Sequence, residues 1–305
     1  MLARAITIIE SSLAADRQVQ QELLKQLLPN TGKSIRIGIT GVPGVGKSTF
    51  IETFGELLTS QGKKVAVLAI DPSSQKTKGS ILGDKTRMEK LSRNPNVFIR
   101  PSPSGLALGG VTYHTRETIL LCEAAGYDVI LIETMGVGQS ETLVRSMCDF
   151  FLLLMLAGAG DELQGIKKGI MEMADGIAIN KADGDNLKAA VQAQADARSA
   201  LHLQAAPVSG WNPMVLAVSS TENKGIDEVW RMIQEHHRYT TSTGYFLSNR
   251  QLQKKQWLEE SIESQFRYFM NQKVIAEKKE QLLKEVMSDT LLPVEAARKF
   301  WEEVR

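Results

Sequence analysis

Residues 41–49 read GVPGVGKST. Gly41, Gly46, Lys47 and Ser48 occupy the fixed positions of G-x-x-x-x-G-K-S, and Val42, Pro43, Gly44 and Val45 fill the loop between them. Glycines let the backbone wrap phosphate oxygens in conformations that a Cβ would hinder, with successive N–H groups facing the negative charge. Lys47 brings a cation to the β- and γ-phosphates, and the Ser48 hydroxyl is a ligand for Mg²⁺. Thr49 leads into TFIETFGELLTSQG, a helical stretch whose N-terminus also favours anions. The strand-like IRIGIT stands before the loop, which completes the context this motif requires. The bland alternative is a glycine-rich turn that matches by chance.

The base is addressed farther along the chain. Asn180, Lys181 and Asp183 form N-K-x-D directly after the apolar GIAI. A carboxylate at Asp183 can accept hydrogen bonds from guanine N1–H and the exocyclic amine, groups that adenine does not offer. Lys181 would lie along the purine plane, and Asn180 would tie the loop to its neighbours. Ser219, Ser220 and Thr221, in AVSSTENKG, would add backbone contacts to the guanine carbonyl. A plain turn after a strand is the alternative for each segment.

Four oxygen donors are expected around Mg²⁺, directly or through water: Ser48, Asp71, Asp84 and Glu133. Asp71 ends the second strand-like run, where open α/β sheets hold ligands, although an Asp-Pro turn explains it too. Asp84 is otherwise an exposed loop acid. Glu133 and Gly136 form E-x-x-G, so Glu133 would hold Mg²⁺ through water and the Gly136 N–H would meet the γ-phosphate. Arg87 is a candidate for stabilising transition-state charge, or else a surface ion pair. Gln139 is a candidate water-orienting residue. Gln164 and Lys167, three apart in LAGAGDELQGIKKG, would relay nucleotide state or assist hydrolysis, with a solvated helix start as the other reading.

Seven short apolar runs, IRIGIT, KVAVLAI, NVFIRP, YDVILIE, FFLLLML, GIAIN and PMVLAV, alternate with helix-like segments. Uniformly apolar strands between helices predict an α/β fold, a P-loop NTPase with a mostly parallel sheet covered by helices on both faces. Helical extensions are expected at both ends, dividing the chain into 1–32, 33–240 and 241–305. In the first, Leu23, Leu24, Leu27 and Leu28 form an apolar stripe before the PNTG break. In the last, Trp257, Leu258, Ile262, Phe266 and Phe269 make one stripe, and Val294, Ala297, Phe300, Trp301 and Val304 another. Such faces predict a homodimer contact.

The 305 residues carry 36 basic and 35 acidic side chains, a net charge of +1, so no general attraction to nucleic acid or anionic membrane is expected. The longest apolar stretch, residues 150–160, is too short to span a bilayer. Two cysteines outside any CxxC pattern suit a reducing compartment and buried positions. With no secretory leader expected at the start, the cytoplasm is the predicted location.

GVPGVGKST, DPSS, GSILGDKTRM, FIRPSPS, CEAAGYDVILIETMGVGQSE, GAGDELQGIKKG and NKADGDN, in this order, resemble the MeaB/ArgK group of P-loop GTPases, of the SIMIBI class. The resemblance is closest over residues 30–240. It departs at SGLALGG, residues 104–110, and at Ala157, where many relatives have proline. It implies a GTPase using GTP/GDP and Mg²⁺ that acts as a chaperone for an adenosylcobalamin-dependent acyl-CoA mutase, typically methylmalonyl-CoA mutase, and dimerises through its helical extensions. An ATPase or kinase linked to basic amino-acid transport, and a metal-insertion GTPase, stay open as other readings. The H-R-D and D-F-G motifs of common protein kinases are absent, and four histidines form no convincing metal motif.

Overall fold

The computed structural model describes residues 1–11, 13–70, 88–101, 107–134, 140–157 and 168–304. All seven expected strands form: β1 (Ile35–Gly41), β2 (Val65–Ile70), β3 (Val97–Pro101), β4 (Val129–Thr134), β5 (Phe150–Leu156), β6 (Gly176–Asn180) and β7 (Met214–Ala217). They make one sheet in the order β3-β2-β4-β1-β5-β6-β7, and every pairing is parallel. Parallel strands need crossover connections, and the helices that supply them cover the sheet, which is why β4 is buried at every residue.

The helices described are α1 (Leu2–Ile9), α2 (Arg17–Leu27), α3 (Lys47–Ser60), α4 (Glu89–Ser92), α5 (Ala107–Ala124), α6 (Ser140–Arg145), α7 (Lys168–Met173), α8 (Leu187–His202), α9 (Ile226–Ser242), α10 (Tyr245–Met270), α11 (Lys273–Met287) and α12 (Pro293–Val304). α3 and α9 cover one face, where Phe50, Phe54, Leu58, Trp230 and Ile233 pack on strand residues Ile37, Val67 and Leu152. The opposite face beneath β2 and β4 is closed by Ile119 and Cys122 of α5 with Val144 of α6. Alanines Ala190, Ala193 and Ala197 let α8 sit tightly beside β6 and β7.

The chain order explains where a ligand belongs. From β1 the chain builds outward to one side through β2 and β3, then returns and builds to the other side through β5, β6 and β7. The C-terminal end of β1 is therefore next to the reversal of strand order, the place where open α/β sheets hold ligands.

The chain divides into two compact units, Met1–Gln253 and Lys254–Arg305. Within the first, Ile6 and Ile9 of α1 and Leu23, Leu24 and Leu27 of α2 pack around Leu121 of α5. Leu28 departs from the expected stripe: it opens a 3-10 turn and is exposed. Within the second, Ile275, Leu282, Ala296 and Phe300 make a small core with Phe269 and Met270. Phe300 thus belongs to a core here, whereas Val294 and Ala297 of the same predicted stripe are exposed. Leu258, Ile262, Phe266 and Trp301 are also exposed, with the rings of Phe266 and Trp301 stacked 5.8 Å apart. No helix among the described residues is long and apolar enough to cross a membrane.

Candidate functional site

The loop from Gly41 to Gly46 joins β1 to α3, so its turn lies on the first residues of a helix axis. Two of its glycines are required by geometry. Gly46 has φ +94°, and a Cβ there would stand 2.8 Å from Asn180 Nδ2. Gly41 has φ +152°, and a Cβ there would meet the Leu154 carbonyl at 2.5 Å. Val45 is fully buried in the core, which pins the loop from beneath, while Pro43 and Gly44 face solvent. Thr49 is exposed on the first turn of α3.

Lys47 is 8% exposed, and its ammonium donates to the carbonyls of Gly41 at 2.7 Å and Val42 at 3.2 Å. Burial pushes its pKa down, opposed by the charges of Glu133 and Glu141. Reading the sequence singled out Glu133 and passed over Glu141; no spacing rule marks the second acid, and only its burial reveals it.

Glu133 is 6% exposed at the end of β4, paired in register with Ile39 of β1 and Ala69 of β2. That register carries its carboxylate to the phosphate loop, where the Ser48 hydroxyl donates to Oε1 at 3.4 Å. Thr134 donates to Thr40 at 2.9 Å on the buried side, locking the two strand ends together. A hydroxyl and a carboxylate side by side are hard oxygen donors. They fit Mg²⁺, which takes one or two protein ligands and fills its other positions with phosphate oxygens and water. Asp71, Asp84, Arg87, Gly136, Gln139, Gln164 and Lys167 lie outside the described residues. Among the described residues no group of three His, Cys, Asp or Glu side chains could hold a metal.

The base loop is built at the end of β6. Asn180 is buried and bridges three segments: its amide donates to Val45 O at 2.9 Å, and its oxygen accepts from Ser220 Oγ at 2.8 Å and Ser220 N at 3.3 Å. Lys181 adopts φ +60°, a left-handed conformation that costs a non-glycine residue of order 1 kcal/mol. The reversal turns Ala182 inward, where its N–H donates to Val218 O, and turns Asp183 outward. Asn186 supports the turn by donating to Lys181 O at 2.7 Å. Asp183 accepts from the hydroxyls of Ser219 and of Thr221, and these two bonds, Ser219 first, hold its carboxyl below the ordinary value of 3.8. The carboxylate is therefore ionised and aimed. Thr53 of α3, missed in the sequence, donates to Ser220 O at 2.8 Å and joins the phosphate-loop helix to the base side.

The chain is similar to known proteins over most of its length. It matches a family model described as methylmalonyl-CoA mutase-associated GTPase MeaB over residues 2–277. It is 50% identical over 264 residues to the GTPase ArgK of Escherichia coli, spanning 87% of this chain and 80% of that one. It is 46% identical over 307 residues to the mitochondrial methylmalonic aciduria type A homolog of Mus musculus, spanning 97% and 74%. Among solved structures it is similar to a LAO/AO transport system kinase, with a TM-score of 0.77 and 40% identity, covering 99% of this chain and 92% of that one. A match running through nearly the whole chain, on a sheet that brings these loops to one edge, makes the protein a GTP-hydrolysing member of the MeaB family of P-loop GTPases.

Proposed function

We propose that this GTPase is a nucleotide-driven switch and chaperone for an adenosylcobalamin-dependent acyl-CoA mutase, methylmalonyl-CoA mutase first among them, assisting cofactor loading and protecting the enzyme. The observation that carries the client is the family match, whose description names methylmalonyl-CoA mutase. The switch is supported by Glu133, which reaches Ser48 from the start of the E-x-x-G segment and so links the phosphate site to the loop after β4.

In this reading residues 33–240 form the nucleotide-binding domain, residues 1–32 a helical extension and residues 241–305 a dimerisation extension. Lys47 leaves the Gly41 and Val42 carbonyls to face the β- and γ-phosphates. The N–H groups of residues 41–49 cradle the phosphates, and Asn180, Lys181, Asp183 and Ser219–Thr221 hold the guanine. Ser48 and Glu133, with Asp71 and Asp84, hold Mg²⁺, whose charge offsets that developing on the transferred phosphoryl group. Gly136 senses the γ-phosphate, and Arg87, Gln164 and Lys167 respond to it. Exposed Leu258, Ile262 and Phe266 support a homodimer contact through the C-terminal helices. Buried thiols at Cys122 and Cys148, both pushed up to about 12 by burial, suit the cytoplasm.

Co-purification with candidate cobalamin mutases tests the client, with GTP hydrolysis measured alone and in the complex. Stable binding with altered hydrolysis is the expected result; if no candidate binds or changes the rate, the chaperone reading fails. Release of inorganic phosphate is expected throughout. Phosphate transferred to a co-purified protein would instead favour the kinase reading carried by the name of the similar structure.

A further inference from the structure

Glu141 is the second residue of α6, five positions past Gly136 of the E-x-x-G segment, and this side chain is 4% exposed. The helix packs on β4 and β1, the strand that carries Glu133 next to its last residue and the strand that leads into the phosphate loop. It lies as close as a residue without a side chain allows, since a Cβ on Gly38 would stand 2.7 Å from Val144 Cγ1. Glu141 is thereby held, and yet its Oε2 has no hydrogen-bond partner among the described residues. Burying a carboxylate oxygen without a partner is costly, and an acid kept for the fold would have its bonds made within the fold. Its charge acts on Lys47 in the same sense as that of Glu133, each opposing the effect of burial on the ammonium, and both acids are buried.

We propose that Glu141 is a positioning residue of the nucleotide site, whose Oε2 accepts a hydrogen bond from a water in the Mg²⁺ shell. Mg²⁺ sheds its waters reluctantly, and each retained water is a donor in need of an acceptor. A buried, rigidly held carboxylate with an open oxygen meets that need, and the divalent charge balances the second acid. Ser48 and Glu133 would hold the metal from one side, and Glu141 would orient its shell from α6. The inference rests on the reading that Ser48 and Glu133 take Mg²⁺.

The test uses the full-length protein with Glu141→Gln and, in parallel, Glu133→Gln. Affinity for a non-hydrolysable GTP analogue is measured in Mg²⁺ and in EDTA, and the melting temperature is measured without nucleotide. For Glu141→Gln the gain in affinity on adding Mg²⁺ should shrink about fivefold, the loss of one water-mediated hydrogen bond. The half-saturating Mg²⁺ concentration for hydrolysis should rise, and the nucleotide-free melting temperature should stay unchanged or increase. Wild-type Mg²⁺ dependence in Glu141→Gln overturns the proposal, as does failure of that variant to fold, which would make the acid structural. If Glu133→Gln shifts the Mg²⁺ dependence while Glu141→Gln does not, the Glu141 inference alone falls. If neither shifts it, the metal reading falls as well.

Discussion

Asp183 is the residue on which base choice turns. Its two hydroxyl donors leave one carboxylate oxygen outward and keep the group ionised well into acid, so recognition should not weaken until pH falls below the ordinary value of 3.8. Asp183→Asn keeps an oxygen for Ser219 and Thr221 but replaces an acceptor toward the base with an N–H donor. GTP affinity should then fall roughly 100-fold, the loss of two hydrogen bonds to a charged group. Displacement of a fluorescent guanine nucleotide checks this, and unchanged affinity would remove the guanine role of the residue. Glu133→Ala acts differently, because the carboxylate lies beside Ser48 and away from the base loop. It should lower Mg²⁺-dependent GTP hydrolysis by tenfold or more, a loss of about 1.4 kcal/mol, while GDP binding changes little. Equal loss of hydrolysis and GDP binding would mean that the acid mainly supports the fold.

At the scale of elements, the site is a joint between three strand ends, and Asn180 holds them. Its amide connects β6 to the phosphate loop through Val45 and to the segment after β7 through Ser220. Asn180→Ala would leave the Val45 carbonyl and the Ser220 hydroxyl buried without this partner. The expected cost is about 2 kcal/mol of stability, read by denaturant unfolding, together with weaker nucleotide binding. Saturating GDP should recover part of that stability by mass action, because the ligand binds only the folded chain. Recovery equal to that of the wild type would show that Asn180 braces the sheet without serving the site.

Across the first compact unit, the edge of the sheet opposite the nucleotide is held by a buried ionic cluster. Arg250, at the start of α10, donates to both carboxylate oxygens of Asp149, at 2.8 and 2.7 Å, and to the carbonyls of Gly32 and Ser34. Asp149 in turn accepts from the Arg36 N–H at the start of β1. Arg250→Ala would strand a buried carboxylate and should cost ~3–5 kcal/mol, measurable by chemical unfolding. The fold also responds to pH. His236 is buried edge-on to Phe150 and Trp211, and burial lowers its pKa below 6.5 despite Asp175, whose Oδ1 is 3.8 Å from Nε2. Burial lowers His237 as well. The unfolded chain therefore binds these protons first as pH falls through 6.5, so the associated stability is complete above that pH and is lost below it. Melting temperature should drop from pH 7 to pH 5.5, as unfolding free energy falls by at most about 1.4 kcal/mol per pH unit per histidine. His236→Phe should flatten that slope, and an unchanged slope would assign the acid sensitivity to other groups.

The seven strands and the phosphate loop were legible in the sequence because both are local. A strand buried on both faces is a continuous apolar run, and the glycines, lysine and serine of the loop are fixed by spacing along one turn. N-K-x-D was legible for the same reason. What residues far apart in the chain do to one another was not. That Glu133 meets Ser48 follows from the parallel register of β1 and β4, which no local pattern encodes. The bridging by Asn180, the link from Thr53 to Ser220 and the burial of Glu141 depend on strand order, which periodicity leaves open. The C-terminal helices show the same limit: the apolar stripe of α12 was visible, but tertiary packing chose Ala296 and Phe300 for the core and left Val294 exposed. The sequence by itself determined the elements and the kind of chemistry, since propensity and motif spacing act over a few residues. Only the tertiary structure decided that Glu133 meets Ser48, because proximity across a sheet is set by topology.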